Sequence, residues 1–158
     1  MSTLLVVGAG PVSEALSPLA ELLGWKPVVA ATYDEVVAVI GGADAMVVTS
    51  HDAEVEGPAL KAGLERQLLY IGGMGSRKTQ ARRAEWLTAN GVSDADQARI
   101  HGPAGLDIGA DGPAEIALAI LAELVAVQRG RTDIGSIKHR EGPIHPELGP
   151  GEAFCPTG

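Results

Sequence analysis

The sequence predicts an alternating α/β fold, a parallel sheet covered by helices, and three observations support it. Short apolar runs alternate with segments of helical periodicity from Thr3 to Gly130. Glycine-rich turns follow several of these runs, as expected for loops at the carboxyl ends of parallel strands. The composition is 46% hydrophobic but only 3% aromatic. Ala, Val, Leu and Ile must therefore form the core, as in a sheet buried on both faces.

Size and charge exclude several classes of protein. The 158 residues suit one domain with a substantial core. A net charge of -8 argues against general binding to nucleic acid or to anionic membranes. The single cysteine, Cys155, excludes an internal disulfide framework and favours a reducing compartment. No signal-type segment or membrane-spanning apolar run is visible, so we expect a cytoplasmic protein without membrane insertion.

The first predicted strand, Thr3–Val7, leads into a turn that resembles a dinucleotide-binding fingerprint. The turn reads Gly8-Ala9-Gly10-Pro11-Val12-Ser13, close to G-x-G-x-x-G, and a helix follows as far as Gly24. Gly8 permits the tight turn, and Gly10 lets the backbone approach a pyrophosphate. Ser13 stands where a third glycine is usual.

The second predicted strand, Pro27–Ala31, departs from an ordinary NAD site. Such sites usually carry an acidic residue at the end of this strand, which binds the ribose hydroxyls. Here Ala31 and Thr32 stand at that place, and Asp34 comes two residues later. The departure argues against ordinary NAD binding.

The third predicted strand, Ala45–Val48, follows a short helix or turn over Glu35–Ile40. It ends in Thr49-Ser50-His51-Asp52, at the edge where open α/β sheets place their ligands. A lone histidine is more often structural, but this place makes His51 a candidate for lining a site. A helix is expected over Val55–Gln67.

The fourth predicted strand, Leu68–Ile71, is followed by the most informative stretch of the chain. Gly72, Gly73 and Gly75 come next, and Ser76 can cap a helix that runs from Arg77 to about Asn90. Backbone N–H groups and the helix dipole then favour an anion, which we expect to be a phosphate group. The alternative is a tight turn with a solvated basic helix face. The basic residues beside this turn are Arg77, Lys78, Arg82 and Arg83.

The remaining elements are shorter or simpler. A short polar helix over Ser93–Arg99 precedes a very short fifth strand at Ile100-His101, and a second glycine-rich loop spans Gly102–Gly109. The last helix begins at Gly112-Pro113 and stops at Gly130. Its apolar stripe, which we expect in the core, consists of Ile116, Ile120, Leu124 and Val127.

Composition changes after residue 130, so we expect a Rossmann-like domain over 1–130 and an irregular tail over 131–158. The tail is predicted to be mobile or to lie on a partner. His139, His145 and Cys155 fit no standard zinc spacing, and no metal site is expected. The predicted sheet is doubly wound with strand order 3-2-1-4-5, which puts the ligand crevice between the first and fourth strands.

Five stretches together resemble the C-terminal Rossmann domain of the XdhC/CoxI family. They are GAGPVSEAL, SHDAEVEGPAL, YIGGMGSRKTQARR, ARIHGPAGLDIGA and PAEIALAILAELVAVQRG, and the resemblance runs from about Leu4 to Gly130. The family consists of accessory factors for molybdenum hydroxylases such as xanthine dehydrogenase and carbon monoxide dehydrogenase. The resemblance therefore implies a non-catalytic, chaperone-like protein that takes part in maturation.

The resemblance also implies a cofactor and partners. The cofactor would be molybdenum cofactor, as molybdopterin or its cytosine dinucleotide, held for sulfuration or for insertion into the apo-hydroxylase. Family members usually carry a further N-terminal domain with a Cys- and Gly-containing motif, which we expect to be missing here. A sulfur donor or a separate companion subunit would then be a partner, and a homodimer is expected.

The candidate cofactor-binding residues come from both lines of argument. The glycine N–H groups and Arg77 would hold a phosphate. Asp107 would accept a hydrogen bond from a ribose or a pterin N–H, or position a cation, unless it only caps its loop. Nine residues match the family motifs, namely Gly8, Gly10, Gly72, Gly75, Ser76, Arg77, His101, Gly105 and Asp107; Pro11, His51 and Gly73 complete the set. No residue is assigned to catalysis or to a metal.

Two other functions stay open at this point. A nicotinamide-dependent oxidoreductase using NAD(P) would need a hydride-handling acid or base, and no Tyr-x-x-x-Lys pair is present. A nucleotide-binding scaffold module without transfer chemistry would need only the glycine turns.

Overall fold

A computed structural model describes residues 1–145, and its centre is a four-stranded, all-parallel sheet. The strands are β1 (Thr3–Val7), β2 (Lys26–Ala30), β3 (Ala45–Val48) and β4 (Tyr70–Gly73). Helices cover both faces, so the predicted Rossmann-like α/β class is confirmed. Residues 146–158 of the predicted tail, Cys155 among them, lie outside the described residues.

The helices begin and end close to the places that the sequence predicts. They are α1 (Pro11–Leu22), α2 (Tyr33–Val39), α3 (Ala53–Glu65), α4 (Arg77–Ala89), α5 (Asp94–Gln97) and α6 (Pro113–Gln128). Short 3-10 turns cover Ile40–Gly42 and Ile137–His139. Local signals explain this agreement, since Pro stands in the first turn of α1 and α6, and Ser76 caps α4.

The strand order is β2-β1-β3-β4, so the predicted order 3-2-1-4-5 is wrong. All four residues of β3 are buried, which suits an interior strand, and β3 lies between β1 and β4. β2 is half-exposed and carries Pro27, which has no N–H to donate and suits an edge strand. The order therefore reverses between β1 and β3, and the expected crevice between the first and fourth strands moves to that point.

The predicted fifth strand is reduced to a single bridge. His101 pairs with Gly72 in parallel, outside any continuous strand. The His101 N–H donates to the Ile71 carbonyl at 2.8 Å, and the Gly73 N–H donates to the His101 carbonyl at 2.9 Å. These bonds hold the start of the second glycine-rich loop against the outer edge of β4.

Alternating side chains of the strands build two cores, one on each face of the sheet. Leu5 and Val7 of β1 pack on the side of α2, α3 and α4, whereas Leu4 and Val6 pack on the side of α1 and α6. From the predicted stripe of α6, Ile120 and Leu124 are fully buried, and Ile116 and Val127 are partly buried.

Residues 131–145 lie beside α6, with a cavity of about 720 Å³ between them. Its lining includes Val125 and Ala126 of α6 and Ile134 and Ile144 of the following segment. The Arg131 guanidinium donates to the Ile144 carbonyl at 3.0 Å. Among the described helices, none has both the length and the apolar character needed to cross a bilayer.

Candidate functional site

The turn after β1 lies directly against the loop after β3. Gly8 has a φ of +122°, and a Cβ atom there would lie 2.6 Å from both the Ser50 nitrogen and Thr49 Oγ1. Only glycine tolerates this backbone conformation and this approach. The two loops can therefore touch at the point where the strand order reverses.

The same edge of the sheet carries the other glycine-rich loops. The Met74 N–H donates to the Val48 carbonyl at 2.9 Å, which ties the loop after β4 to the end of β3. The Ala104 N–H donates to the Gly73 carbonyl at 3.1 Å, which ties the second glycine-rich loop to β4. The loops after β1, β3 and β4 and the start of loop 102–109 thus follow one another along the sheet.

Ser13 has a defined task in the first turn. Its hydroxyl, which is buried, donates to the Gly8 carbonyl at 2.8 Å. Gly10 is the N-cap of α1 with a φ of +137°, and Pro11 is the exposed first residue of the helix. A serine at the third fingerprint position therefore keeps the turn closed by a hydrogen bond.

The amino end of α4 presents backbone donors that have no partner among the described residues. The Ser76 hydroxyl accepts from the Thr79 N–H at 3.2 Å. Within residues 1–145, the N–H groups of Gly75, Ser76 and Arg77 make no hydrogen bond, and neither Arg77 nor Lys78 makes an ion pair. Both basic side chains are exposed. Unused N–H groups, a helix dipole and two cations form a donor set that fits a phosphate-bearing ligand.

The basic cluster of α4 divides into two pairs, which the sequence did not reveal. From its place further along the helix, Arg83 is predicted to be an exposed charge that matters less than Arg77. It is only 3% exposed, so that prediction is wrong. Its Nη2 and Nε atoms lie 3.1 and 3.3 Å from Glu56 Oε2, and Arg82 Nη2 lies 2.8 Å from Glu56 Oε1. Residue 83 lies three residues after Gln80, on the side of α4 that faces α3. A charged side chain buried at this contact needs a partner of opposite charge.

Arg83 also reaches two of the loops. Its Nη2 donates to the Ser50 carbonyl at 3.3 Å, and its Nη1 donates to Gln80 Oε1 at 3.3 Å. Gln80 Nε2 in turn donates to the carbonyls of Gly73 and Gly75 at 3.0 and 3.2 Å. One buried guanidinium is therefore connected to the loops after both β3 and β4.

A second polar cluster lies on the opposite face of the sheet. Glu123 Oε1 accepts from the Tyr70 hydroxyl at 2.6 Å and from the Gly105 N–H at 3.0 Å. The His101 ring stacks on Tyr70 with a centroid distance of 4.8 Å, and His101 Nδ1 lies 3.7 Å from Glu123 Oε1. Glu123 thereby ties the second glycine-rich loop to α6.

The environment changes the acidity of two members of this cluster. Burial, together with the hydrogen bond to Glu123 and its charge, raises the pKa of Tyr70 far above its ordinary value, so the hydroxyl stays a donor. Burial alone would raise the pKa of the Glu123 carboxyl. The facing His101 imidazole and the donors of Tyr70 and Gly105 outweigh it and lower that pKa below 4.5.

The remaining candidates are placed less tightly. His51 and Asp107 are exposed, and within the described part of the chain their side chains make no hydrogen bond. Gly72 is buried beneath the Tyr70 ring, which leaves no room for a Cβ atom. Sequence reasoning missed Glu56, Gln80 and Glu123, although Glu123 is the only charge between Glu115 and Arg129 on an apolar helix.

Comparison with known proteins identifies the family. Residues 4–124 match the model of the XdhC Rossmann domain. The chain belongs to the XdhC family. Its Rossmann domain is 32% identical, over 53% of this chain, to the molybdenum cofactor insertion chaperone PaoD of Escherichia coli. It is 28% identical, over 79% of this chain, to the uncharacterized protein YqeB of the same organism.

A solved structure shares the fold of this XdhC Rossmann domain. The crystal structure of a xanthine dehydrogenase from Bacillus halodurans superposes with a TM-score of 0.67 and 25% identity. The match covers 85% of this chain and 45% of that one. The chain spans only 27% of YqeB and 26% of PaoD, so these relatives contain much that this chain does not match.

Proposed function

We propose that this XdhC Rossmann domain binds molybdenum cofactor and serves as an accessory protein of a molybdenum hydroxylase. One observation carries the proposal: the amino end of α4 presents unused N–H groups and two unpaired cations within residues 1–145. The similarity to PaoD, named as a molybdenum cofactor insertion chaperone, supports the choice of cofactor. The ligand would be molybdopterin or its cytosine dinucleotide.

The residues divide the binding between them. The N–H groups of Gly75, Ser76 and Arg77, with the Arg77 guanidinium, hold a phosphate of the cofactor. The turn at Gly8–Pro11 is the place for a second phosphate of a dinucleotide form. Asp107, exposed on loop 102–109, accepts from a pterin or ribose donor. The cofactor supplies redox chemistry to the client enzyme, whereas this chain binds and orients it.

The proposal includes partners and a compartment. The recipient is the apo-form of a molybdenum hydroxylase in the cytoplasm, and a sulfur donor or companion subunit supports sulfuration. A second copy of this chain forms a homodimer. Insertion and sulfuration need no catalytic residue of this domain.

The end of β2 argues against the oxidoreductase alternative. Glu35 Oε2 accepts from the Ala31 and Thr32 N–H groups at 2.6 and 3.3 Å, and Thr32 and Glu35 form a capping box. The carboxylate nearest this strand end thus binds its own backbone. An NAD ribose would have to compete with those bonds.

Calorimetric titration tests the proposal. Isolated molybdopterin, its cytosine dinucleotide, NAD⁺ and NADP⁺ are each titrated into the wild type, Arg77→Ala and Arg82→Ala. We expect a pterin ligand to bind and Arg77→Ala to weaken it roughly ten- to hundredfold, since a charge-assisted contact is lost. Arg82→Ala removes the same charge from the same helix and should change the affinity less than about fivefold.

Two results would contradict this assignment. Equal and negligible effects of both substitutions would mean that the glycine turn is only a turn. Binding of a nicotinamide dinucleotide without binding of either pterin would favour the oxidoreductase.

A further inference from the structure

We propose that Arg83 is a positioning residue for this phosphate site. Glu56, Arg83 and Gln80, together called the bracket, hold the loops after β3 and β4 in one fixed arrangement. The ligand-binding part of this inference rests on the proposed function, whereas the ordering of the loops does not.

The contacts of the bracket need an arginine. Its guanidinium is a planar fork of five N–H donors, and here it bonds Glu56, the Ser50 carbonyl and Gln80 at the same time. A lysine ammonium at the end of a flexible stem cannot reproduce that geometry. Glu56 is itself only 3% exposed, so a buried carboxylate holds the guanidinium in this orientation through its hydrogen bonds.

The carbonyls that the bracket holds determine where neighbouring N–H groups point. In a planar trans peptide the C=O and the next N–H point in opposite directions. Gln80 holds the Gly75 carbonyl, so the Ser76 N–H is directed away from Gln80. Arg83 holds the Ser50 carbonyl, so the His51 N–H is directed away from Arg83. Within residues 1–145 neither N–H makes a hydrogen bond, and each stays available to a ligand.

Stabilising the packing of α3 on α4 would not require these loop contacts. A buried ion pair is often no more stabilising than well-packed apolar side chains. The extra bonds to Ser50 and Gln80 instead connect the pair to the edge where the glycine loops meet. Preorganised donors bind a ligand more tightly because less motion is lost on binding.

The first test needs no ligand. Backbone order parameters from NMR relaxation are measured for wild type, Arg83→Met, Gln80→Ala and the control Arg82→Met. Rigid backbone gives values of about 0.85 and flexible backbone gives values below about 0.6. Arg83→Met should loosen both residues 50–52 and 74–76. Gln80→Ala should loosen only residues 74–76. Arg82→Met should loosen neither loop, because the native Arg82 side chain contacts Glu56 and neither loop.

The second test measures affinity for molybdopterin cytosine dinucleotide in the same variants. Arg83→Met and Gln80→Ala should each bind roughly tenfold more weakly, and Arg82→Met should bind as the wild type does. Arg83→Lys keeps the charge but should not restore the affinity. If the wild type binds no pterin, the proposed function fails while the order parameters still test the bracket.

The bracket is overturned by unchanged order parameters in both loops of Arg83→Met. Equal loosening by Arg82→Met would overturn it as well, since that residue reaches neither loop. If Arg83→Met does not fold, Gln80→Ala takes its place, because it leaves the Glu56–Arg83 pair intact. Rigid residues 74–76 in folded Gln80→Ala would then contradict the inference.

Discussion

The two faces of the sheet each use one carboxylate to hold a glycine-rich loop, but the donors differ in kind. On the side of α3 and α4, Glu56 is paired with two permanently charged arginines. On the side of α6, Glu123 accepts from a neutral hydroxyl and a backbone N–H, with His101 nearby. Losing Glu56 leaves the buried Arg83 charge without its ion pair on the first face, whereas losing the Tyr70 hydroxyl leaves a less buried carboxylate only partly satisfied on the second.

The difference should appear first in the free energy of unfolding. Glu56→Ala removes the partner of buried Arg83 and should destabilise the protein by about 3–5 kcal/mol. Urea denaturation monitored by circular dichroism measures this change. Arg82→Ala, the control, removes only the exposed partner of Glu56 and should cost less than about 1 kcal/mol. Similar costs for the two variants would mean that the Glu56–Arg83 pair is not a strong interaction.

The matching substitution on the other face should cost less. Tyr70→Phe keeps the ring and its stacking on His101 but removes the hydroxyl that donates to Glu123. We expect a loss of about 1.5–3 kcal/mol at neutral pH, as for a hydrogen bond to a charged group. The same urea experiment measures it. If Tyr70→Phe lowered the free energy of unfolding as much as Glu56→Ala does, the two faces would not differ in the strength of their carboxylate contacts.

The smallest expected effect is a pH dependence confined to the Glu123 face. Because the pKa of Glu123 is lowered below 4.5 in the folded protein, the unfolded state binds its proton first. The stability that this carboxylate contributes is fully present above pH 4.5 and is lost as the pH falls through the folded pKa. Glu123→Gln should therefore lose stability less steeply below pH 4.5 than the wild type. Identical slopes in acid unfolding curves would show that Glu123 does not contribute in this way.

The strand order was predicted wrongly although the sequence contains signals for the positions of β2 and β3. Pro27 favours an edge position for β2, and the continuous apolar run of β3 favours an interior position. These two signals do not by themselves select one strand order among those known for α/β sheets. Strand order depends on which side of the sheet each crossover takes. The packing of the helices on the sheet determines the side of each crossover, and the sequences of the strands do not.

Local signals were sufficient for the helices and for the places of the four strands, although Gly72 and Gly73, predicted to follow the fourth strand, form its last two residues. Apolar runs predicted all four strands, and Ser76 predicted the start of α4. Gly8 predicted a tight turn, and the structure leaves no room at that position for a residue with a side chain. Each of these features depends on neighbours along the chain. The family resemblance read from the same stretches was also confirmed.

Tertiary structure alone decided the partners of the charged groups. Glu56 bonds Arg83 across 27 residues of sequence, and Glu123 bonds Tyr70 across 53. Arg77 and Arg83 look alike in the sequence, but the turn of α4 leaves one exposed and brings the other against α3. A helix period indicates that two such residues face different ways. Which face is buried, and which distant carboxylate meets it there, follows only from how the helices pack on the sheet.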